Sequence, residues 1–177
     1  MKTLVADNCI LEPLTKAHAK DMFNVLSDTA IYEFENAPPR SEEWLSARYE
    51  KLETRKSSDG KQNWLNWVVR LNTKELAGYV QAMVLESGLS YVAYELSSKH
   101  WRKGLGREAV SAVLDELASS YRVDTAVAVL KAKNYRSHGL LVNLGFTQAS
   151  RDMVGIANPE PDEIVMVKPL EGTHNAA

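Results

Sequence analysis

Between His100 and Ala109 the chain reads HWRKGLGREA, with two glycines set among cations just ahead of a long stretch of helical apolar spacing. Glycine at 104 and 106 removes side chains that would hold a ligand off the backbone. A helix starting here presents unpaired N–H groups and the positive end of its dipole, a combination that attracts phosphate or pyrophosphate. Arg102, Lys103 and Arg107 would add charge-assisted contacts. The competing reading is a plain glycine turn with solvated basic residues, and the adjoining charges and long helix weigh against it. No G-x-x-x-x-G-K-[ST] occurs, which excludes a P-loop. Gly104, Gly106 and Ala109 do satisfy G-x-G-x-x-[GA]. A dinucleotide site, however, wants its first glycine directly after a strand within a βαβ unit. Here seven polar or aromatic residues intervene.

Other chemistries find less support. The single cysteine, Cys9, excludes an internal disulfide framework and any cysteine-based structural zinc site. His18, His100, His138 and His174 show no metal-ligand spacing, so no metal site is expected. With 21 Lys+Arg against 23 Asp+Glu, the net charge is -2 and no global basic excess exists to hold nucleic acid or an anionic membrane. Ala126 to Leu130 is the longest apolar run, far too short to span a bilayer. The opening MKTLVADN has too brief an apolar stretch for a signal peptide. At 177 residues and 45% hydrophobic composition, the chain can bury a proper core in one domain, expected over residues 1–170 and cytoplasmic. The patternless EGTHNAA is expected to be a disordered tail over residues 171–177.

The elements that must position the glycines follow from periodicity. Thr3–Leu14 reads as a strand. Thr15 caps a helix from about Lys16 to Leu26, and Ser41 with Glu42 and Glu43 starts a second reaching about Lys56. Trp64–Leu71, Leu76–Glu86 and Ser90–Leu96 are strand-like runs joined by turns so short that neighbours must be antiparallel. A long helix runs from Gly104 to about Tyr121, with Ala109, Val110, Val113, Leu114 and Leu117 on one face. Ala126–Leu130 resembles a central strand, Tyr135–Leu144 a helix with Gly145 as its left-handed cap, and Phe146–Ala149 and Ile164–Val167 two last strands. The expected architecture is α+β, with a mixed central sheet of about six to seven strands and about four helices.

On these residues the sequence resembles the GNAT superfamily of acetyl-coenzyme A-dependent N-acetyltransferases. The family's [QR]-x-x-G-x-[GA] loop falls on Trp101-Arg102-Lys103-Gly104-Leu105-Gly106. Trp101 departs from the usual Gln or Arg, but tryptophan followed by Glu-Ala is similar to the RimJ/RimL branch. Asn134-Tyr135-Arg136-Ser137, Leu140-Leu141 and Leu144-Gly145-Phe146 resemble its N-x-x-S…LL…LGF. The opening CILEPLTKAHAKDMFNVLSD and the strand ELAGYVQ match as well, and the resemblance covers Leu4 to Val167.

The resemblance implies that the strands Ser90–Leu96 and Ala126–Leu130 splay apart to admit acetyl-CoA as co-substrate. The pyrophosphate would sit on the amides of Arg102, Lys103, Gly104, Leu105, Gly106 and Arg107. The pantetheine arm would pair with backbone at Tyr94 to Leu96 and meet Asn134, which also suits a helix N-cap. The acceptor is a primary amine, on a protein N-terminus or a small molecule, that attacks the thioester directly while a backbone N–H near Leu96 stabilises the oxyanion. The alternatives are a polyamine or aminoglycoside acetyltransferase, or a non-catalytic acyl-CoA sensor. Glu95 is the best-placed carboxylate for the base, against an alternative as a surface or ion-paired residue. Ser137 matches a position proposed to protonate the leaving thiolate. Leu141 occupies the position where many members carry a tyrosine acid, which raises Ser137, a water or the Tyr94 hydroxyl as the proton source. Glu33 and Glu35 would attract a cationic amine or be solvated loop charges, and Trp64 and Trp67 would line the acceptor side or belong to the core. Homodimers are common in the family, but no stripe here singles out an interface. A bulky substitution such as Gly104→Leu is expected to abolish coenzyme binding by calorimetry, and unchanged affinity would remove the proposed phosphate cradle.

Overall fold

The computed structural model describes residues 1–171. In chain order the strands are β1 (Leu4–Val5), β2 (Cys9–Pro13), β3 (Gln62–Leu71), β4 (Leu76–Leu85), β5 (Leu89–Leu96), β6 (Thr125–Lys131), β7 (Thr147–Gln148) and β8 (Glu163–Pro169). The helices are α1 (Ala19–Leu26), α2 (Glu42–Leu52), α3 (Leu105–Tyr121), α4 (Tyr135–Asn143) and α5 (Arg151–Ala157). They build one mixed sheet in the order β1-β2-β3-β4-β5-β6-β8-β7, in which every pairing is antiparallel except β5 with β6. The α+β expectation is met, and the expected tail from 172 onward lies outside the described residues.

Two differences from the sequence reading have local causes. The first expected strand folds back on itself, because Asp7 and Asn8 make a turn that pairs Leu4 with Leu11. Between the last two strands a fifth helix appears. Its start is capped by the Ser150 hydroxyl, which accepts from the Met153 N–H at 3.3 Å, and its end by Asn158 in the left-handed region. Gly155 within so short a segment hid that helix from periodicity.

Alternation along the strands sends side chains to two separate cores. On one face α3 lays Ala109, Val110, Val113 and Leu117, all fully buried, against Leu11, Trp67, Val69 and Val80. On the other, α1 and α2 cover Val68 and Leu76 with Met22, Leu26, Leu45 and Tyr49. Each fully buried aliphatic contributes roughly 1.5–3 kcal/mol relative to exposure. Trp67 and Trp64, three residues apart on one strand, must point to opposite faces. Trp67 is 0% exposed, its indole N–H donating to the Lys2 carbonyl at 3.1 Å. It is therefore a core residue and not part of an acceptor surface.

β5 and β6 pair only over Leu89↔Thr125, Ser90↔Ala126 and Tyr91↔Val127. Beyond that point each follows its own antiparallel partner: β5 stays with β4 to Leu96↔Gly78, and β6 stays with β8 to Lys131↔Glu163. The expected splay is present. Its rim depends on Gly78 at φ +149°, where an added Cβ would lie 2.1 Å from the Glu95 carbonyl oxygen and 2.8 Å from the Leu96 Cα. Gly78→Ala is expected to cost about 2–4 kcal/mol through backbone displacement, read as a lower urea midpoint at unchanged m-value.

Candidate active site

A cavity of about 600 Å³ fills the wedge between β5 and β6 and reaches the start of α3. Of the residues expected to meet the coenzyme, Tyr94, Leu96, Arg102, Gly104, Gly106, Arg107 and Asn134 line it. Lys103 is exposed and Leu105 buried, and neither side chain forms its wall, so each could contribute only through its main chain. Glu95 and Ser137 both line it.

The cradle is built from backbone. After a 3-10 turn at Ser98–His100, Arg102 takes φ +59° and Gly104 φ +82° before α3 begins. Left-handed residues in such a turn can direct successive N–H groups to one side as an anion-binding concavity. Within the described residues no main-chain N–H from Arg102 to Arg107 has an intramolecular acceptor, and the Glu108 N–H is the first that does, bonding the Gly104 carbonyl at 3.1 Å. The two glycines differ in purpose. A Cβ on Gly104 would meet open space, so that position serves the backbone conformation and access. A Cβ on Gly106 would come within 3.1 Å of Leu140 and 3.2 Å of Leu96, so that position also lets α3 pack against α4 and β5.

Trp101, the departure from the family pattern, has a structural role: its indole N–H donates to the Leu96 carbonyl at 2.8 Å and ties the cradle to the end of β5. Glu108, of the Glu-Ala pair, accepts from the Asn8 side chain at 3.0 Å and holds the β1–β2 turn against α3. Near it, burial and the Glu108 charge push the Cys9 thiol up to about 11. A protonated, fully buried thiol is a poor nucleophile, in line with a reaction that bypasses cysteine.

Neighbouring positions on β5 deliver two titratable groups to opposite faces of the sheet. Tyr94 points toward α4, where its hydroxyl lies 2.8 Å from the Ser137 Oγ. Burial raises the Tyr94 phenol to about 12, so it keeps its proton at neutral pH. Ser137 is held by its own amide, which donates to the Asn134 Oδ1 at 3.1 Å; Asn134 is thus the N-cap of α4 as well as part of the cavity wall. Glu95 points the other way, opposite Tyr79 on β4. Burial raises its pKa above the ordinary carboxylate value, opposed by hydrogen bonding from Tyr79 and Asn36. Its Oε1 accepts from the Asn36 Nδ2 at 3.1 Å. It is not ion-paired at contact distance among the described residues.

Glu33 is an exposed loop charge that is already ion-paired, whereas Glu35 lines the cavity. The Arg136 guanidinium donates to Glu33 at 2.6 Å, and the Asn134 Nδ2 to Glu35 at 3.4 Å. Sequence reading missed Phe34, Asn36, Tyr79 and Arg136 as site residues. Arg136 lies within the quoted N-x-x-S motif and Tyr79 within the quoted ELAGYVQ strand, but no local pattern marks Phe34 and Asn36, which come from a loop distant in sequence. Among the described residues no group of three or more His, Cys, Asp or Glu converges as a metal site, and no helix is long and apolar enough to cross a membrane.

The geometry matches what comparison with known proteins finds. A family model described as "Acetyltransferase (GNAT) domain" matches residues 8–147. The chain is 27% identical over 149 residues to an uncharacterized N-acetyltransferase, YoaA, of Bacillus subtilis (strain 168), covering 81% of each. Among solved structures, a RimL ribosomal L7/L12 alpha-N-protein acetyltransferase in complex with coenzyme A superposes with TM-score 0.79 at 12% identity, over 95% of this chain and 98% of that one. A ribosomal-protein-S5-alanine acetyltransferase from Vibrio fischeri superposes with TM-score 0.74 at 18% identity, over 96% of this chain and 97% of that one. The fold is that of the RimL/RimJ type, and the family match extends through the cradle and α4: this chain belongs to the GNAT acetyltransferases.

Proposed function

We propose that the chain is an acetyl-CoA-dependent N-acetyltransferase in which Glu95 is the general base and Ser137, backed by Tyr94, is the proton source. The observation that carries this reading is their placement on one cavity. Adjacent residues of β5 present Glu95 to one side of the sheet and the Tyr94–Ser137 pair to the other. Acetyl-CoA, when bound, supplies an electrophilic thioester carbonyl. The bare amides and the cations Arg102 and Arg107 suit its diphosphate, and the unpaired edge of β5 from Val92 to Leu96 suits an extended amide-bearing arm. Glu95 takes the proton that an ammonium must lose before it is nucleophilic. Across the sheet, the Tyr94–Ser137 hydrogen bond offers a proton toward a leaving sulfur.

The demand on the base bears on the acceptor. With a pKa of ~10.4, roughly one lysine-type amine in 2,500 is neutral at pH 7, against roughly one in ten for an α-amine near 8. A carboxylate whose pKa is raised by burial is a better base than a solvated one, yet still favours the less basic amine. A protein or peptide N-terminus is therefore the acceptor class the site suits best, in keeping with the alpha-N-protein activity of the RimL-type neighbour.

Thiol release from acetyl-CoA against a panel of peptides, polyamines and aminoglycosides tests the reading directly. Turnover with peptides is the expected outcome; tight coenzyme binding without release across the panel would indicate a sensor. Glu95→Gln is expected to lower kcat by roughly 10²-fold or more and to remove the acid limb of the kcat/KM profile. The same substitution has an opposite signature in stability. A carboxylate whose pKa is raised in the fold favours its protonated form, so its stabilising effect holds at low pH and fades as pH rises from the ordinary carboxylate value through the raised one. Glu95→Gln is thus expected to raise Tm at neutral pH while it removes activity.

A further inference from the structure

The segment from Asp28 to Asn36 follows α1, lines the cavity through Ile31, Phe34, Glu35 and Asn36, and is fastened at more than one point. At its root, Asp28 accepts from the Ser98 N–H at 2.7 Å and the Ser97 hydroxyl at 3.3 Å, which fixes it to the end of β5. At its far end lies an arginine held on several sides. The Arg136 guanidinium carbon stands 4.3 Å from the Trp101 ring centroid, 4.8 Å from that of Phe34 and 5.3 Å from that of Tyr135. The same guanidinium donates to Glu33 at 2.6 Å, and Phe34 meets Tyr135 edge to face at 5.7 Å. Three elements that share no sequence neighbourhood, the strap, the cradle and the start of α4, meet on one side chain.

We infer that Asn36 is a positioning residue for Glu95, delivered to it by a strap, Glu33–Asn36, that Arg136 latches over the cavity. Asn36 takes φ +65°, a left-handed conformation that asparagine tolerates better than most residues, and there its Nδ2 reaches the Glu95 Oε1 at 3.1 Å. A carboxylate on a strand has freedom about its outer torsions. A donor fixed on one oxygen restricts those torsions and holds the carboxylate at the cavity wall, which is the preorganisation a base requires. Two neighbouring strap residues are occupied elsewhere: Glu33 with the latch and Glu35 with Asn134. Other groups also bear on Glu95 and set its response. Tyr79 faces it from β4, Arg48 and Tyr49 approach from α2, and Tyr32 and Glu35 from the strap segment. Of these, Asn36, Tyr79 and Arg48 favour the ionised carboxylate, whereas Glu35 opposes it.

The inference rests on Glu95 as the base, and a measurement without substrate separates the two. Carbon-13 labelling of glutamate carboxyls, with the Glu95 resonance assigned by its loss in Glu95→Gln, reports its titration in the free protein. Asn36→Gly keeps the left-handed backbone and removes only the amide. It is expected to move the Glu95 titration to higher pH, to carry the acid limb of kcat/KM upward with it, and to lower kcat roughly tenfold. Arg136→Ala is expected to do the same by loosening the strap, and the double variant to add little, because both act through one contact. An unmoved Glu95 titration in Asn36→Gly, or fully additive effects with Arg136→Ala, would overturn the positioning role. A shifted titration with no change in the rate profile would instead show that Glu95 is not the base, and the catalytic assignment of Asn36 would fall with it.

Discussion

β5 and β6 share three residue pairs and then part, while each goes on pairing with the antiparallel partner on its other edge. A sheet interior with a row of unpaired main-chain groups is costly unless something covers it. Here the uncovered edge from Val92 to Leu96 opens onto the cavity, and every group assigned to chemistry lies on its margin. The splay thus converts a structural liability into a slot that accepts an extended, hydrogen-bonding ligand. Gly78 holds β4 close to the point where the slot ends, and the Trp101 indole bonds the last carbonyl of β5, so the slot and the cradle are positioned by the same few atoms.

Strand alternation then divides the labour. One residue apart, Tyr94 and Glu95 face opposite sides of the sheet, each into a different chemical setting. Tyr94 enters the side covered by α3 and α4, where the Ser137 hydroxyl awaits, and Glu95 enters the side of α1 and α2, among tyrosines and the strap. In the proposed reaction the pleat itself keeps the proton acceptor and the proton donor apart, with no loop needed. The strap adds the reverse effect, a bond across the cavity that links acceptor-side and cofactor-side elements through Arg136.

Much of this was legible in the chain itself. The apolar spacing of α3 marked its buried face, the glycines marked its start, and the Asn134-x-x-Ser137 spacing marked both the cap and the wall residue of α4. Local signals of this kind work because a helix start or a short turn is decided by a few adjacent residues. Where reading failed, non-local packing was at work. Trp64 and Trp67 looked equivalent as strand aromatics, yet parity puts them on opposite faces, and only the register with β4 shows which face holds the α3 core. Glu33 and Glu35 could be read as attractors of a cationic amine or as loop charges, and no local pattern showed that Arg136 and Asn134, far along the chain, lie against them.

The sequence by itself determined the order of elements from α1 to β7, the glycine turn ahead of α3 and the Asn134 cap of α4, since those follow from spacing and side-chain type within short windows. The tertiary structure alone decided where β5 and β6 separate, that Gly106 is a packing glycine, and that Asn36 meets Glu95. Those depend on the register between strands distant in sequence and on loops brought across the sheet, and no local window contains both halves of such a contact.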